Sequence, residues 1–374
     1  MKILAGLWNG PTMVGAFYTK YLKRVADVVT IGPEVGQSSD IPVDVREPIS
    51  PHLTGNQGPF DVYIQFYSKP DYFPPDLYKV DIPKVWVVYD LHLHAYELGR
   101  TAFLFDLIIV TDEASRQVLL KMGIPRVRIL PFAVDHEIFY RPWEERSRLF
   151  KVGFSGSVSG HPQLEGRRRL LERVESSFPL QVENRSKTGS DVADFYQDCH
   201  VVINQAVHHD LNMRVMEVLI AGRPLITPNV PGLKDILEES THAVIYDDDS
   251  IIEKLQWMID HPEECEAMAQ RGQEHAMAHH TYEVRAREML NILEEEKSYW
   301  ENPTIRKHPD HLRTTQFLYH WFRFPGDALD WLAKHWAYHN FPGKMMQAFL
   351  RIASMTLRAV GILWNRKYFQ SKDD

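Results

Sequence analysis

Short apolar runs alternate with stretches of helical spacing along most of the chain. Residues 2–8 form one such run, and 27–31 (Asp-Val-Val-Thr-Ile) form another that stops at Gly32-Pro33. Between them Phe17, Tyr18, Tyr21, Leu22 and Val25 give 16–25 the spacing of an amphipathic helix. Further strands are predicted at 60–66, 84–89, 107–111 and 127–130, with a helix at 114–122. The second half predicts strands at 149–156, 179–182, 201–204, 224–227 and 243–246. Helices at 166–174, 190–198, 211–221 and 232–239 fall between them, and 250–260, 262–275 and 282–299 follow.

Such alternation implies parallel strands joined by crossover helices. It pauses at 131–148, which holds Pro142 and the charged run Glu144-Glu145-Arg146. The predicted architecture is therefore α/β, with one Rossmann-like domain over 1–145 and a second over 146–285. Residues 286–374 form C-terminal helices that return to the first domain and then an extension. Two doubly wound sheets would face a cleft at the carboxyl ends of their strands, where ligands bind in open α/β sheets. A length of 374 residues suits two domains.

Composition changes this picture little. Apolar residues at 44% and charged residues at 25% describe an ordinary globular chain. The formal net charge of −8 argues against nucleic acid as a partner, since phosphate backbones need a basic surface. Cys199 and Cys265 have neither metal-ligand spacing nor a disulfide framework, and read as small apolar residues in a reducing compartment. Residues 1–8 are apolar but are interrupted at once by Asn9-Gly10-Pro11, so they predict a first strand and turn rather than a signal peptide. No run reaches the ~18 uninterrupted apolar residues of a membrane span. The expected location is the cytoplasm.

Candidate chemistry concentrates at 201–227. The buried strand Val201-Val202-Ile203-Asn204 leads through a polar loop to a helix predicted to start at Leu211, with Asp210 as its N-cap. Free N–H groups of a first turn at Leu211, Asn212 and Met213 would suit a phosphate, with Asn212 and Arg214 as added donors. Glu217, about two turns from the cap, would accept from a vicinal diol such as a ribose. A structural reading stands beside this one, in which Arg214 and Glu217 form an i,i+3 ion pair on an exposed face.

Arg167-Arg168-Arg169, behind Gly156-Ser157, offers further cations for a diphosphate, or else lines a solvated helix. Gly10 lets backbone approach a diphosphate, or simply makes the turn. Asp90 and His92 follow a strong strand; they would meet an acceptor, with His92 as a base, or support the loop as a hydrogen-bonded pair. Adjacent histidines at His92/His94 and His208/His209 lack the carboxylate framework of a closed metal site, and no metal is expected.

The stretch Leu211-Asn212-Met213-Arg214-Val215-Met216-Glu217, continued to Thr227 through Gly222-Arg223-Pro224, resembles the donor signature of group 1 (family 4-like) GT-B glycosyltransferases. It is most similar to the bacterial branch of spore-maturation-type enzymes. Phe105 to Thr111, Leu130 to Asp135, Val152 to Ser157, Tyr246-Asp247-Asp248 and His280-Thr281-Tyr282 follow in the family's order, so the resemblance covers about residues 1 to 290. It implies a first domain for the acceptor and a second for the donor. The activity implied is transfer of a sugar from a UDP- or GDP-sugar to a hydroxyl acceptor, with retention and without metal or other cofactor. Of the two acidic residues that relatives set seven positions apart, Glu217 matches the second, on the nucleotide ribose. The first falls at His209, so His209 or Asp210 takes over the sugar hydroxyls, and the sugar stays open. Two other readings remain on the same fold: a non-catalytic sugar-nucleotide or glycan-binding protein, and a nucleotide-sugar epimerase.

Residues 301–374 differ from the rest. They carry 11 Lys+Arg against 6 Asp+Glu, while 1–300 has a net charge of −13. Aromatics are dense there, and 345–364 is amphipathic, with Gln347, Arg351, Ser354 and Arg358 on its polar face. One reading packs these helices on the first domain or on a second subunit of a homo-oligomer. The other is an interfacial helix that brings the protein to the inner face of a membrane and a lipid-linked acceptor. Flotation separates them. The interfacial reading expects the full chain, and not residues 1–300, to rise with anionic vesicles; equal behaviour of the two removes the membrane contact.

Overall fold

In the computed structural model the described residues are 1–7, 14–34, 39–44, 47–55, 57–66, 73–74, 76–89, 91, 102–144, 148–158, 162–184, 187–207 and 211–300. Two compact units are distinguished, one holding Met1–Asn9 and Val29–Ile108, the other Gly10–Val28 and Ile109–Lys297. The strands form two parallel sheets, as the alternation predicts.

The first sheet has seven strands: β1 (Lys2–Leu7), β2 (Asp27–Gly32), β3 (Ile41–Pro42), β4 (Val62–Phe66), β5 (Lys84–Val87), β6 (Leu107–Val110) and β7 (Val127–Ile129). Their order is β3-β2-β1-β4-β5-β6-β7. The β1/β4, β4/β5 and β2/β3 pairs are parallel. β4 and β6 are buried at every position, the pattern of strands covered on both faces. α1 (Val14–Leu22) and α2 (Glu113–Lys121) alternate with the strands along the chain. Asp112 caps α2, its carboxylate accepting the Ser115 N–H at 2.7 Å.

The second sheet comprises β8 (Phe150–Ser155), β9 (Leu180–Glu183), β10 (Cys199–Ile203), β11 (Leu225–Pro228) and β12 (Val244–Tyr246), in the order β12-β11-β10-β8-β9. Every pair is parallel. α3 (His136–Phe139) precedes it, and α4 (Glu165–Glu175), α5 (Ser190–Gln197) and α6 (Arg214–Ile220) alternate with its strands. α7 (Ile251–Asp260), α8 (Pro262–His279) and α9 (Tyr282–Trp300) close the described chain.

Alternate strand residues enter two cores. Val201, Ile203, Ile226, Val244 and Tyr246 meet one, with Leu170 and Val174 of α4 and Leu255 of α7. Val202, Leu225 and Ile245 meet the other, with Ala193 of α5 and Val215, Val218 and Leu219 of α6. This two-sided burial is the period of two that a strand imposes. At the amino ends of the strands Arg223 is wholly buried; it donates to the Cys199 carbonyl at 3.2 Å and to Glu266 of α8 at 2.8 Å.

The structure departs from the periodicity in three places. The helix predicted at 211–221 begins only at Arg214. The one predicted at 232–239 is reduced to a turn at Leu233–Asp235. There Gly232 and Ser240 are left-handed, with φ of 79° and 62°, and the Glu238 N–H donates to His242 Nδ1 at 3.1 Å instead of continuing a helix. α3 occupies the stretch predicted as a pause, capped by Asp135, whose carboxylate accepts the Glu137 N–H at 3.0 Å. Among the described residues no helix is long and apolar enough to cross a membrane. Residues 301–374 lie outside the described residues.

Gly153 sits in mid-β8 against Cys199, where an added Cβ would come 2.2 Å from the cysteine sulfur and 3.2 Å from the Phe195 ring. Gly153→Ala is expected to lower stability by about 1–3 kcal/mol, the usual result of overpacking a core. Adding Cys199→Ala should recover part of that loss, since it removes the sulfur. Urea denaturation of the two single variants and the double variant checks it; strictly additive losses would mean that the two side chains do not meet.

Candidate functional site

In open parallel sheets ligands bind beyond the carboxyl ends of the strands, where the strand order reverses. In the second sheet this point lies between β8 and β10. The residues leaving those strands are Gly156-Ser157 and Asn204-Gln205.

Asn204 is 1% exposed and fully engaged. Its side-chain NH2 donates to Thr227 Oγ1 at 3.0 Å, which fixes which end of the amide faces the site. Its Oδ1 then accepts from Asn212 Nδ2 at 3.0 Å and from Arg214 Nη1 at 3.3 Å. Its carbonyl accepts the Tyr246 hydroxyl at 3.0 Å. A buried amide bonded through both its oxygen and its nitrogen holds its neighbours to one arrangement.

Arg214 is thereby set beside Gly156. A Cβ on Gly156, whose φ is 151°, would come 2.6 Å from Arg214 Nη2. Only a glycine admits the guanidinium so close to the β8 terminus. The Arg214 guanidinium also lies over the Phe154 ring, 5.1 Å from its centroid. Its Nε is buried, with no hydrogen-bond partner among the described residues.

Arg167 of α4 lies over the same ring at 5.3 Å. Its guanidinium donates to the Ser157 carbonyl at 2.8 Å, to the Gln205 carbonyl at 2.8 Å and to Gln205 Oε1 at 3.0 Å. It therefore ties the two strand ends together. Arg168 and Arg169 pair with Glu165 on the exposed side of α4.

The helix start expected at Leu211 is corrected. Leu211 is buried in the apolar core, and Met213 is the residue flanking α6. Asn212 Oδ1 accepts the Arg214 N–H at 3.1 Å, and the Asn212 carbonyl accepts the Val215 N–H at 3.4 Å. Those first-turn donors are engaged within the chain, and α6 has only seven residues. Cationic character at this point comes from the Arg214 side chain rather than from a helix terminus. Asn212 likewise directs its NH2 to Asn204.

The i,i+3 ion pair of the structural reading does not form either. Arg214 turns to Asn204 and Phe154, while Glu217 accepts the Tyr196 hydroxyl at 3.1 Å. Gly10, Asp90, His92, His209 and Asp210, with His208 and His94, lie outside the described residues. The structure thus brings together Gly156, Ser157, Arg167, Asn212 and Arg214, with Glu217 one helical turn on.

Sequence reasoning overlooked Asn204, Gln205, Tyr196, Phe154 and Thr227 as supports. Asn204 and Thr227 did leave a signal: each is a polar residue at the end of an otherwise apolar strand.

Burial pushes the Glu217 carboxyl above its ordinary value of 4.5, against the Arg214 charge and the Tyr196 hydrogen bond, which both lower it. A raised carboxyl favours folding only in its protonated form; that contribution is complete below 4.5 and is lost as pH rises through the folded value. Glu217→Gln stays neutral at every pH. It is expected to melt above the wild type at neutral pH, with the gain fading as pH falls to 4.5. Thermal denaturation across that range checks it; a gain of constant size would mean that ionisation is not its source.

Residues 137–291 match the model of a family described as glycosyl transferase-like. A GDP-mannose-dependent α-mannosyltransferase of Mycobacterium tuberculosis is 24% identical over 43% of this chain and 50% of that protein. The chain thus spans about half the length of the curated relative it matches. The fold is shared more widely. Sucrose-phosphate synthase of Thermosynechococcus elongatus superposes with a TM-score of 0.55 at 12% identity, over 80% of this chain and 100% of that one. HepE of Anabaena in complex with UDP-glucose gives 0.56 at 12%, over 79% and 100%. A glycosyltransferase of Rickettsia africae gives 0.57 at 11%, over 79% and 98%. Residues 137–291 thus resemble a glycosyl transferase-like family, and most of the chain shares the fold of these solved structures.

Proposed function

We propose that this chain is a glycosyltransferase that moves a sugar from a nucleoside-diphosphate sugar to a hydroxyl acceptor, with retention and without a resident metal. The observation that carries this is the Arg214 guanidinium, seated against Gly156 at the reversal point of the second sheet, with its Nε buried and unpartnered among the described residues. When the bond from the sugar C1 to the diphosphate oxygen breaks, negative charge grows on the leaving diphosphate. A fixed guanidinium in a partly dry site stabilises that charge more than it stabilises the bound donor. The new bond joins the acceptor oxygen to C1, and the acceptor hydroxyl proton passes to the departing diphosphate oxygen.

Glu217 faces the nucleotide ribose in this reading. Ser157 and Arg167 shape the floor beneath the phosphates, and the backbone of Leu211 to Met213 runs beside the sugar. His209 or Asp210 meets the sugar hydroxyls, and Asp90 and His92 meet the acceptor. Residues 146–285 are then the donor half and 1–145 the acceptor half. Support for a nucleotide donor comes from the mannosyltransferase, named as GDP-mannose-dependent, and from HepE, solved with UDP-glucose. The base belongs to the proposal only as UDP or GDP. Work in the cytoplasm, with 301–374 at a membrane surface or a subunit contact, completes it.

Titration calorimetry with UDP, GDP and inorganic pyrophosphate tests the site. Arg214→Ala is expected to weaken all three about 10- to 100-fold, the loss of charge-assisted hydrogen bonds. Glu217→Ala should weaken the nucleotides and leave pyrophosphate alone. Unchanged binding by Arg214→Ala would overturn the assignment. Transfer assays with UDP- and GDP-sugars over broad acceptor pools test the chemistry. Binding without turnover would point instead to a sugar-nucleotide-binding protein on this fold.

A further inference from the structure

Glu217 is placed on α6 by the helix, but a glutamate side chain turns freely about its own bonds. Its carboxylate has one hydrogen-bond partner among the described residues. Tyr196, wholly buried on α5, donates its hydroxyl to Glu217 Oε2 at 3.1 Å. Ser155, at the end of β8, lies beside Tyr196 and opposes the rise that burial gives its hydroxyl pKa. Tyr196 thus stands between the strand that delivers Gly156 and the carboxylate on α6. Among the described residues, Oε1 has no protein donor, and Oε2 keeps a lone pair to spare. A vicinal diol needs that arrangement, one acceptor oxygen for each hydroxyl, with the carboxylate plane fixed.

We propose that the Tyr196 hydroxyl is a positioning group that locks the Glu217 carboxylate for a ribose diol, and so sets affinity for ribonucleotides over deoxyribonucleotides. The proposal rests on the assignment of Glu217 to the ribose. A purely structural role, in which a buried tyrosine merely satisfies its hydroxyl, would leave nucleotide binding and its pH dependence alone.

The groups acting on Glu217 are Arg214 on its own helix, Tyr196 on α5 and Tyr282 at the head of α9. Burial raises its carboxyl, and Arg214 and Tyr196 oppose that. Ribose binding needs the carboxylate, so affinity should fall on acidification through the Glu217 pKa. Without the Tyr196 bond that fall should begin at a higher pH.

Calorimetry on the full chain with UDP, GDP, 2′-deoxy-UDP and 2′-deoxy-GDP tests this. Tyr196→Phe is expected to weaken the ribonucleotides about three- to tenfold and the deoxyribonucleotides less, the scale of one hydrogen bond. Its acid limb should lie at higher pH than that of the wild type. 3-Fluorotyrosine at position 196, a stronger donor of the same shape, should move the limb the other way, and serves if the phenylalanine variant does not fold. An acid limb unmoved by either change would overturn the proposal. If Glu217→Ala loses ribonucleotides while Tyr196→Phe matches the wild type, only the role of Tyr196 fails. If Glu217→Ala binds as the wild type does, or the wild type binds neither UDP nor GDP, the ribose assignment fails as well.

Discussion

The candidate site depends on one buried amide. Asn204 closes β10, and Thr227, at the matching point of β11, decides which way its side chain faces. With the amide fixed, Oδ1 has a set direction, and both the Asn212 turn and the Arg214 guanidinium are built on it. Asn212 then determines where α6 starts, and the start of α6 determines where Glu217 lies. A methyl or hydroxyl at position 204 would supply none of these directions. The sheet is thus the source of the site's geometry as well as its support.

The electrostatics of the site work against the fold. Arg214 has a buried guanidinium nitrogen without a partner among the described residues, and the Glu217 carboxyl is raised by burial. Neither arrangement is what stability alone would select, because unpaired polar atoms and desolvated charges disfavour the folded state. Such local conflicts are where function is sought, provided the rest of the chain is consistent with its fold. Here it is: the strands alternate their residues between two apolar cores, and Arg223, wholly buried outside the site, has Glu266 as its partner.

The fold was legible because it rests on periodicity. Apolar runs such as Val201-Val202-Ile203 and Leu107-Ile108-Ile109-Val110 leave few alternatives to a buried parallel strand. The element ends were less so. Leu211 looked like the first residue of an apolar helix face, and is apolar because it enters the core ahead of the helix. The failed helix at 232–239 has acceptable helical spacing; side-chain capture by His242 and two left-handed residues override it, and neither is visible as a pattern. For the site, the type of residue was legible and its partner was not. Arg214, Glu217 and Gly156 stood out as chemistry, whereas their supports come from α5, β10 and β11, brought near only by folding. Arg167 shows the opposite error: a cation expected to meet phosphate also serves to join two loop carbonyls.

The close fit of Cys199 against Gly153 has a chemical side. A thiol enclosed by β8 and the Phe195 ring gains no solvent for a thiolate, and burial pushes it up to about 12. Cys265, sealed on the other core, is pushed up to about 11. Nucleophilic and oxidative attack proceed through the thiolate. Both sulfurs are therefore chemically silent while the second sheet is intact, and each becomes reactive at the moment that sheet opens.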